Sequence, residues 1–295
     1  MKVLVADKID ETVLSSYKNQ SIVFDYRPEI SPSELLTDIG QYDGLLVRSR
    51  TKVSQEVIDS GKNLLIIGRV GSGLDNIDTV TAKKQKIKVV NAPDGNTDAV
   101  VELTVALMLS LLRNLGQAYT SMSKGLWLKK ELRGKELGGK TIGIVGYGHI
   151  GRKVARLAKA FGCQVYFYSR TKRNCSLKKL FKNSDLISLH LPLTEATKNL
   201  VDRKLLGLMK PSSYLVNVGR GKTVSEKDLY QFLSAKKIAG AAMDVYWEEP
   251  LPPDSPWRKL DNVILTPHIG ASTKEALTRA TTIVVKTVIE FLKSK

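Results

Sequence analysis

Cysteine and histidine are scarce in this chain, which has two of the first, Cys163 and Cys175, and three of the second in 295 residues. So few cysteines exclude a disulfide scaffold, and neither stands at a metal-ligand spacing, so no metal is expected. Cys163 is expected at the start of a buried strand and Cys175 in a loop, with catalytic thiol chemistry unsupported at either. No apolar run approaches the roughly 18–20 residues that span a bilayer, so no membrane partner is expected. The N-terminal MKVLVADKID has no secretory core or cleavage site, and a cytoplasmic location is the expectation. Repeats, low-complexity tracts and a Pro/Gly/Ser-rich linker are also missing, which predicts short, structured hinges.

Acid is the remaining shortage. Lys and Arg number 46 against 29 Asp and Glu, a formal charge of +17. Such a balance suits either nucleic acid, through phosphate contacts, or small anions steered by a positive field. The basic residues are scattered, without an aromatic-rich stripe, a zinc spacing or a recognition helix. Small-anion chemistry is the reading preferred, and no nucleic-acid partner is expected.

What is present is alternation. Short β-branched runs alternate with helical patterns, the mark of parallel sheets with crossover helices. A first series predicts strands at Lys2–Ala6, Ile22–Asp25, Gly44–Arg48, Leu64–Gly68 and Lys88–Asn91, with helices such as Ser54–Ser60 and Ile77–Lys86. A long apolar helix is predicted from about Asp98 to Leu115. A second series predicts strands at Thr141–Val145, Gln164–Tyr168, Leu186–His190, Tyr214–Asn217, Ala239–Met243 and Val263–Thr266, and a final helix covers roughly Thr273–Lys293. The fold class expected is α/β, in two domains.

Gly146-Tyr147-Gly148-His149-Ile150-Gly151 lies between the strand Thr141–Val145 and a helix opening near Arg152. In that context GxGxxG is a dinucleotide fingerprint. The first glycine permits the turn, the second lets backbone approach a pyrophosphate, and the third lets helix meet strand, while the helix N-terminus faces the phosphates. The end of the next strand then selects the cofactor: an acid there binds the ribose 2′-hydroxyl of NAD, and an arginine suits the 2′-phosphate of NADP. Here it reads Ser169-Arg170-Thr171, and no acid occurs from Leu137 to Ser184. The cofactor is NAD(H) or NADP(H), with NADP(H) favoured by the Arg170 guanidinium and the Ser169 and Thr171 hydroxyls.

Proton transfer needs an acid/base group. His149 lies inside the glycine loop and His190 ends a strand where local packing is expected. His268, in Thr266-Pro267-His268-Ile269-Gly270, follows a strand at the end where open α/β sheets hold ligands, and is the best candidate. A neighbouring carboxylate favours the protonated form of an imidazole, and Asp244-Val245-Tyr246-Trp247-Glu248-Glu249-Pro250 supplies candidates. Arg220, set between Gly219 and Gly221, can reach a small anion.

Together with Val47–Thr51, Gly71–Asp78 and Asn91-Ala92-Pro93, these motifs resemble, over essentially the whole chain, the D-isomer-specific 2-hydroxyacid dehydrogenase family. The resemblance implies two Rossmann-like, doubly wound parallel-sheet domains. A substrate domain of residues 1–96 and 268–295 would be interrupted by a dinucleotide domain of 97–267. It implies an Arg220–Glu249–His268 catalytic set, Glu248 being the neighbouring alternative to Glu249. Cofactor contacts would come from Gly146, Gly148, His149, Ile150, Gly151, Ser169, Arg170, Thr171, Leu191, Pro192, Val218, Gly219, Asp244 and Gly270, with Asp244 near the nicotinamide carboxamide. Substrate contacts would come from Arg48, Ser49, Gly71, Ser72 and Gly73. The substrate implied is a small 2-hydroxy or 2-oxo acid, in a cleft that closes on it, and the assembly implied is a homodimer formed through the dinucleotide domain.

Within the family, Arg48–Val53 looks most like the branch acting on 3-phosphoglycerate, with Arg48 on the phosphate. Ser169–Thr171 looks more like NADP-using glyoxylate and hydroxypyruvate reductases. The phosphoglycerate reading is preferred narrowly, because a cofactor-selecting arginine can change independently of the substrate pocket. The family also holds dinucleotide-sensing corepressors, a binding function of a different class. Two features depart from the family pattern. The span from Ser169 to Asp185 is short, and the sequence ends at Lys295 after the closing helix, so serine feedback through an appended domain is not expected.

Overall fold

A computed structural model describes residues 1–17 and 21–295. The chain divides into two compact units, Met1–Asp98 with Ala271–Lys295, and Ala99–Gly270.

In the first unit the order is β1 (Lys2–Val5), α1 (Glu11–Ser15), β2 (Val23–Tyr26), α2 (Pro32–Asp38), β3 (Gly44–Val47), α3 (Gln55–Ser60), β4 (Ile66–Arg69), α4 (Thr79–Lys84) and β5 (Lys88–Asn91). The five strands form one parallel sheet in the order β2-β1-β3-β4-β5. Alternation along the strands splits the core between its two faces. Leu4, Leu45, Val47 and Ile67 meet the Val57, Ile58 and Ala82 side, while Val3, Val5, Leu46 and Ile66 share a cluster with Val284, Val285 and Val288. Those valines lie on the last helix of the chain, which is why its C-terminal segment belongs with the first unit. Gly68 makes the fit possible, since a β-carbon there would stand 2.6 Å from both Leu46 and Val284.

In the second unit α5 (Thr97–Leu112), which begins at the boundary, and α6 (Leu115–Ser123) precede β6 (Thr141–Val145). Then come α7 (His149–Ala160), β7 (Gln164–Tyr168), α8 (Leu177–Asn183), β8 (Leu186–Leu189), α9 (Arg203–Leu206), β9 (Tyr214–Asn217), α10 (Glu226–Ser234), β10 (Gly240–Met243) and β11 (Val263–Leu265); α11 (Lys274–Lys293) returns to the first unit. The six strands are parallel in the order β11-β10-β9-β8-β6-β7. The direction of winding therefore reverses between β6 and β8, the switch point where such sheets take ligands.

Two expectations need correction. The long helix does not run to Leu115: it stops at Leu112, and Asn114 adopts φ 53°, ψ 34° before α6 starts at a 69° bend. Asparagine is among the few residues that accept this left-handed conformation at modest cost, so the break is built locally. The second boundary falls after Gly270 rather than at 267/268, because the Ile269 and Gly270 N–H groups donate to Asp244 of the second unit. No single helix among the described residues is long and apolar enough to cross a membrane.

Candidate active site

Because every strand of the second sheet points the same way, its loops emerge along one edge in strand order. His268 follows β11, Asp244–Glu249 follow β10, Val218–Arg220 follow β9, Leu191 and Pro192 follow β8, Gly146–Gly151 follow β6 and Ser169–Thr171 follow β7. Expected cofactor and catalytic residues of this unit thus share one edge.

At the switch point, Gly146 has φ 98°, and a β-carbon there would meet the His190 carbonyl oxygen at 2.3 Å. Gly151 is equally confined, since its β-carbon would fall 2.0 Å from the Gly146 carbonyl oxygen. Gly148 differs: a β-carbon there meets nothing within 4 Å. The loop is tight where it must fold and open where a phosphate would approach the first turn of α7. His149 is exposed and Ile150 half-buried beside it. The residues therefore fit a dinucleotide. Leu191 backbone lies 3.0 Å from where a Gly219 β-carbon would stand, so the Val218–Gly219 and Leu191–Pro192 segments touch.

Beyond β7, Ser169 closes a turn: its hydroxyl donates to the Lys172 carbonyl and accepts from the Lys172 N–H. Asn174 then ties the returning segment to Phe167 and Val165. Ser169 is thereby occupied in shaping the loop, while Arg170 and Thr171 are exposed.

The candidate acid/base group stands at the other end of the edge. His268 has φ 51°, and its Nδ1 lies 2.6 Å from Glu249 Oε2. A carboxylate only accepts, so Nδ1 carries the proton and Nε2 is the ring nitrogen left outside this pair. Burial pushes the Glu249 carboxyl up. The His268 hydrogen bond, the Tyr246 N–H and the charges of His268 and Arg220 outweigh it, and the group is held below the usual carboxylate range. The Tyr246 N–H reaches the other oxygen of Glu249 at 2.9 Å.

Two side chains hold these loops together. Buried Asp244 accepts from the Thr266 hydroxyl at 2.6 Å, the Ile269 N–H at 2.9 Å and the Gly270 N–H at 2.8 Å, so it grips the loop that carries His268. Tyr246 hydroxyl donates to the carbonyls of Thr266 and Met243, and burial with the Asp244 charge pushes it up to about 12, so it stays a donor. Gly221 lets the Arg220 loop join them, because a β-carbon there would lie 2.1 Å from Tyr246 backbone. Glu248, in contrast, faces a small cavity with Trp247 and Asp254.

The expected substrate residues lie in the first unit, after β3 and β4. Asp7, which sequence reasoning missed, organises them: its buried carboxylate accepts from the Arg48 N–H, the Thr51 N–H and the Thr51 hydroxyl, and pairs with Arg50. Asn76 caps the Arg48 and Thr51 carbonyls from the other side. Arg50 is consumed by the Ala6, Pro28 and Ile30 carbonyls. Ser49 is exposed beside Arg48. Gly71 has φ 141°, the Ser72 carbonyl accepts from Asn91, and the Ser72 hydroxyl accepts from Asn96; Gly73 follows directly on this anchored residue. The only advance signal for Asp7 was an acid closing the first apolar run.

A doubly wound sheet with an open glycine loop at its switch point, and a histidine paired to a carboxylate on the same edge, defines a dinucleotide-dependent oxidoreductase that moves a proton with the hydride. Comparison with known proteins narrows the class. Residues 105–270 match the D-isomer specific 2-hydroxyacid dehydrogenase, NAD binding domain. The chain is 43% identical over 288 residues to a hydroxypyruvate reductase of Thermotoga maritima, covering 94% of each. It is 41% identical over its whole length to a D-3-phosphoglycerate dehydrogenase of Methanocaldococcus jannaschii, of which it spans 58%. Among solved structures, the TT0316 protein of Thermus thermophilus superposes with a TM-score of 0.93 at 32% identity, covering 100% of this chain and 98% of that one. The chain belongs to the D-isomer specific 2-hydroxyacid dehydrogenase family.

Proposed function

We propose that this chain oxidises 3-phosphoglycerate at C2, or reduces the corresponding 2-oxo acid, with Arg220, Glu249 and His268 as its catalytic set. The 2.6 Å His268–Glu249 pair carries this reading. In the oxidising direction His268 Nε2 takes the C2 hydroxyl proton, and Glu249 stabilises the imidazolium that results. The dinucleotide, when bound, accepts the hydride from C2. Arg220 holds the substrate carboxylate and the oxygen becoming a carbonyl, whose partial negative charge it stabilises. Backbone groups of Ser72 and Gly73 meet the carboxylate. Arg48 takes the phosphate; its backbone is fixed by Asp7 and Asn76, and its guanidinium makes no hydrogen bond among the described residues.

Gly146–Gly151 and the start of α7 hold the pyrophosphate, and Arg170 favours NADP(H). Its exposed guanidinium is free to fork onto a 2′-phosphate, and no acid precedes it as far back as Leu137. Leu115, Tyr119, Met122, Leu126 and Trp127 form an exposed apolar strip of the second unit, with Tyr119 at 80% and Trp127 at 76%. Such a strip marks an interface, and it supports a homodimer formed through that unit.

Hydroxypyruvate reduction is the second reading, favoured by the Thermotoga relative that matches this chain nearly end to end. Steady-state assays with NADH and NADPH against 3-phosphohydroxypyruvate, hydroxypyruvate and glyoxylate separate the two. We expect kcat/KM at least tenfold higher for the phosphorylated acid, and Arg170→Asp to move preference toward NADH by roughly ten- to a hundredfold, the worth of one charge-assisted bond. Preference for the unphosphorylated acids would establish the reductase and remove Arg48 from the phosphate.

A further inference from the structure

The first unit holds a groove that the proposed chemistry leaves unused. It is shallow and open to solvent, beside β5, the edge strand of its sheet, where α4 and α11 end, and it offers about 460 Å3. Its apolar wall includes Leu74, Val89 and Phe291, and four lysines surround it: Lys83, Lys86, Lys88 and Lys295. None of the four pairs with a carboxylate among the described residues, whereas Lys2, Lys8, Lys210 and Lys236 each do. Four ammonium groups about one space repel one another, and an anion placed between them relieves that repulsion.

Two local features shape the group. Lys86 has φ 60° just beyond the last turn of α4, a position that glycine or asparagine fills at less cost. The Lys295 ammonium lies 5.4 Å from the centre of the Phe291 ring, so its charge sits over the apolar wall. The space is of the size that small organic ligands occupy. Lysine serves as a point charge for phosphate, while Leu74, Val89 and Phe291 offer a surface for a flat apolar group.

We infer that this groove binds an organic polyanion carrying a flat apolar group, the chemistry of a nucleoside polyphosphate. The site is separate from the glycine loop, which belongs to the other unit. The test is calorimetric titration of ATP, in EDTA, into protein already saturated with the nicotinamide dinucleotide it binds more tightly, so that the glycine loop is blocked. The expected result is one saturable ATP site per chain, with adenosine and inorganic tripolyphosphate each at least tenfold weaker. Lys86→Asn combined with Lys88→Glu is expected to weaken ATP at least tenfold while leaving dinucleotide affinity unchanged, which reports that the variant is folded. Absence of saturable ATP binding, unchanged affinity in the double variant, or tripolyphosphate binding as tightly as ATP would each overturn the inference.

Discussion

His190 and His268 are both imidazoles at strand ends of one sheet, and their surroundings give them opposite chemistry. His268 is 46% exposed and bonded to a carboxylate, whereas His190 shares a hydrogen bond with Ser188, and its Nδ1 is sealed from solvent without a partner among the described residues. Burial pushes His190 down to about 3, from an ordinary 6.5. Below pH 6.5 the unfolded chain therefore takes up a proton that the folded chain refuses until about pH 3. Folding stability falls as pH drops through that window, by about 2 kcal/mol between pH 7 and pH 5. His190→Gln is expected to flatten this decline in denaturant titrations at the two pH values, and parallel slopes would show that His190 does not titrate as described. Sequence separates the two histidines only through the motif around His268, because burial belongs to the fold. For the same reason the sequence offers Asp244 as a candidate residue, while its grip on Thr266, Ile269 and Gly270 is not legible there.

At the scale of elements, the glycine loop shows which parts of a motif fold the chain and which serve a ligand. Gly151 has no room for a methyl group, and Gly148 has open space at φ −80°, a conformation alanine adopts freely. Gly148→Ala is expected to leave the melting temperature within about 1 °C while weakening dinucleotide binding at least tenfold, by crowding the phosphate. Gly151→Ala is expected to cost about 2–4 kcal/mol of stability, since backbone must move to admit the side chain. Equal effects of the two on melting would contradict the division. Strands were the most legible elements, nine of the eleven matching residue for residue or within one residue at one end, because parallel strands are short apolar runs bounded by turns. The break at Asn114 was hidden, since Leu111–Leu115 keeps an apolar pattern across it and only the backbone of one residue turns the chain. The turn that occupies the Ser169 hydroxyl was hidden as well, because its partner is a carbonyl three residues away.

Taken whole, the molecule combines a net charge of +17 with an apolar strip centred on α6. The charge suits anionic substrates and cofactors, which it draws in over distances of about a Debye length. The strip is where the proposed homodimer would join: Tyr119→Glu with Trp127→Glu is expected to halve the mass seen by light scattering, and an unchanged mass would contradict that interface. The two-unit architecture was readable from the two series of strands, while the exact return of the chain to the first unit was not, because it depends on the hydrogen bonds by which Asp244 keeps Ile269 and Gly270 in the second unit. The proposed chemistry rests most heavily on His268. Its most direct test is the turnover of His268→Ala with the preferred acid and dinucleotide, beside a fluorescence titration of the dinucleotide. A fall in kcat of about 10²–10⁴ with unchanged dinucleotide affinity is the predicted result; a variant that keeps near-normal kcat would contradict the account.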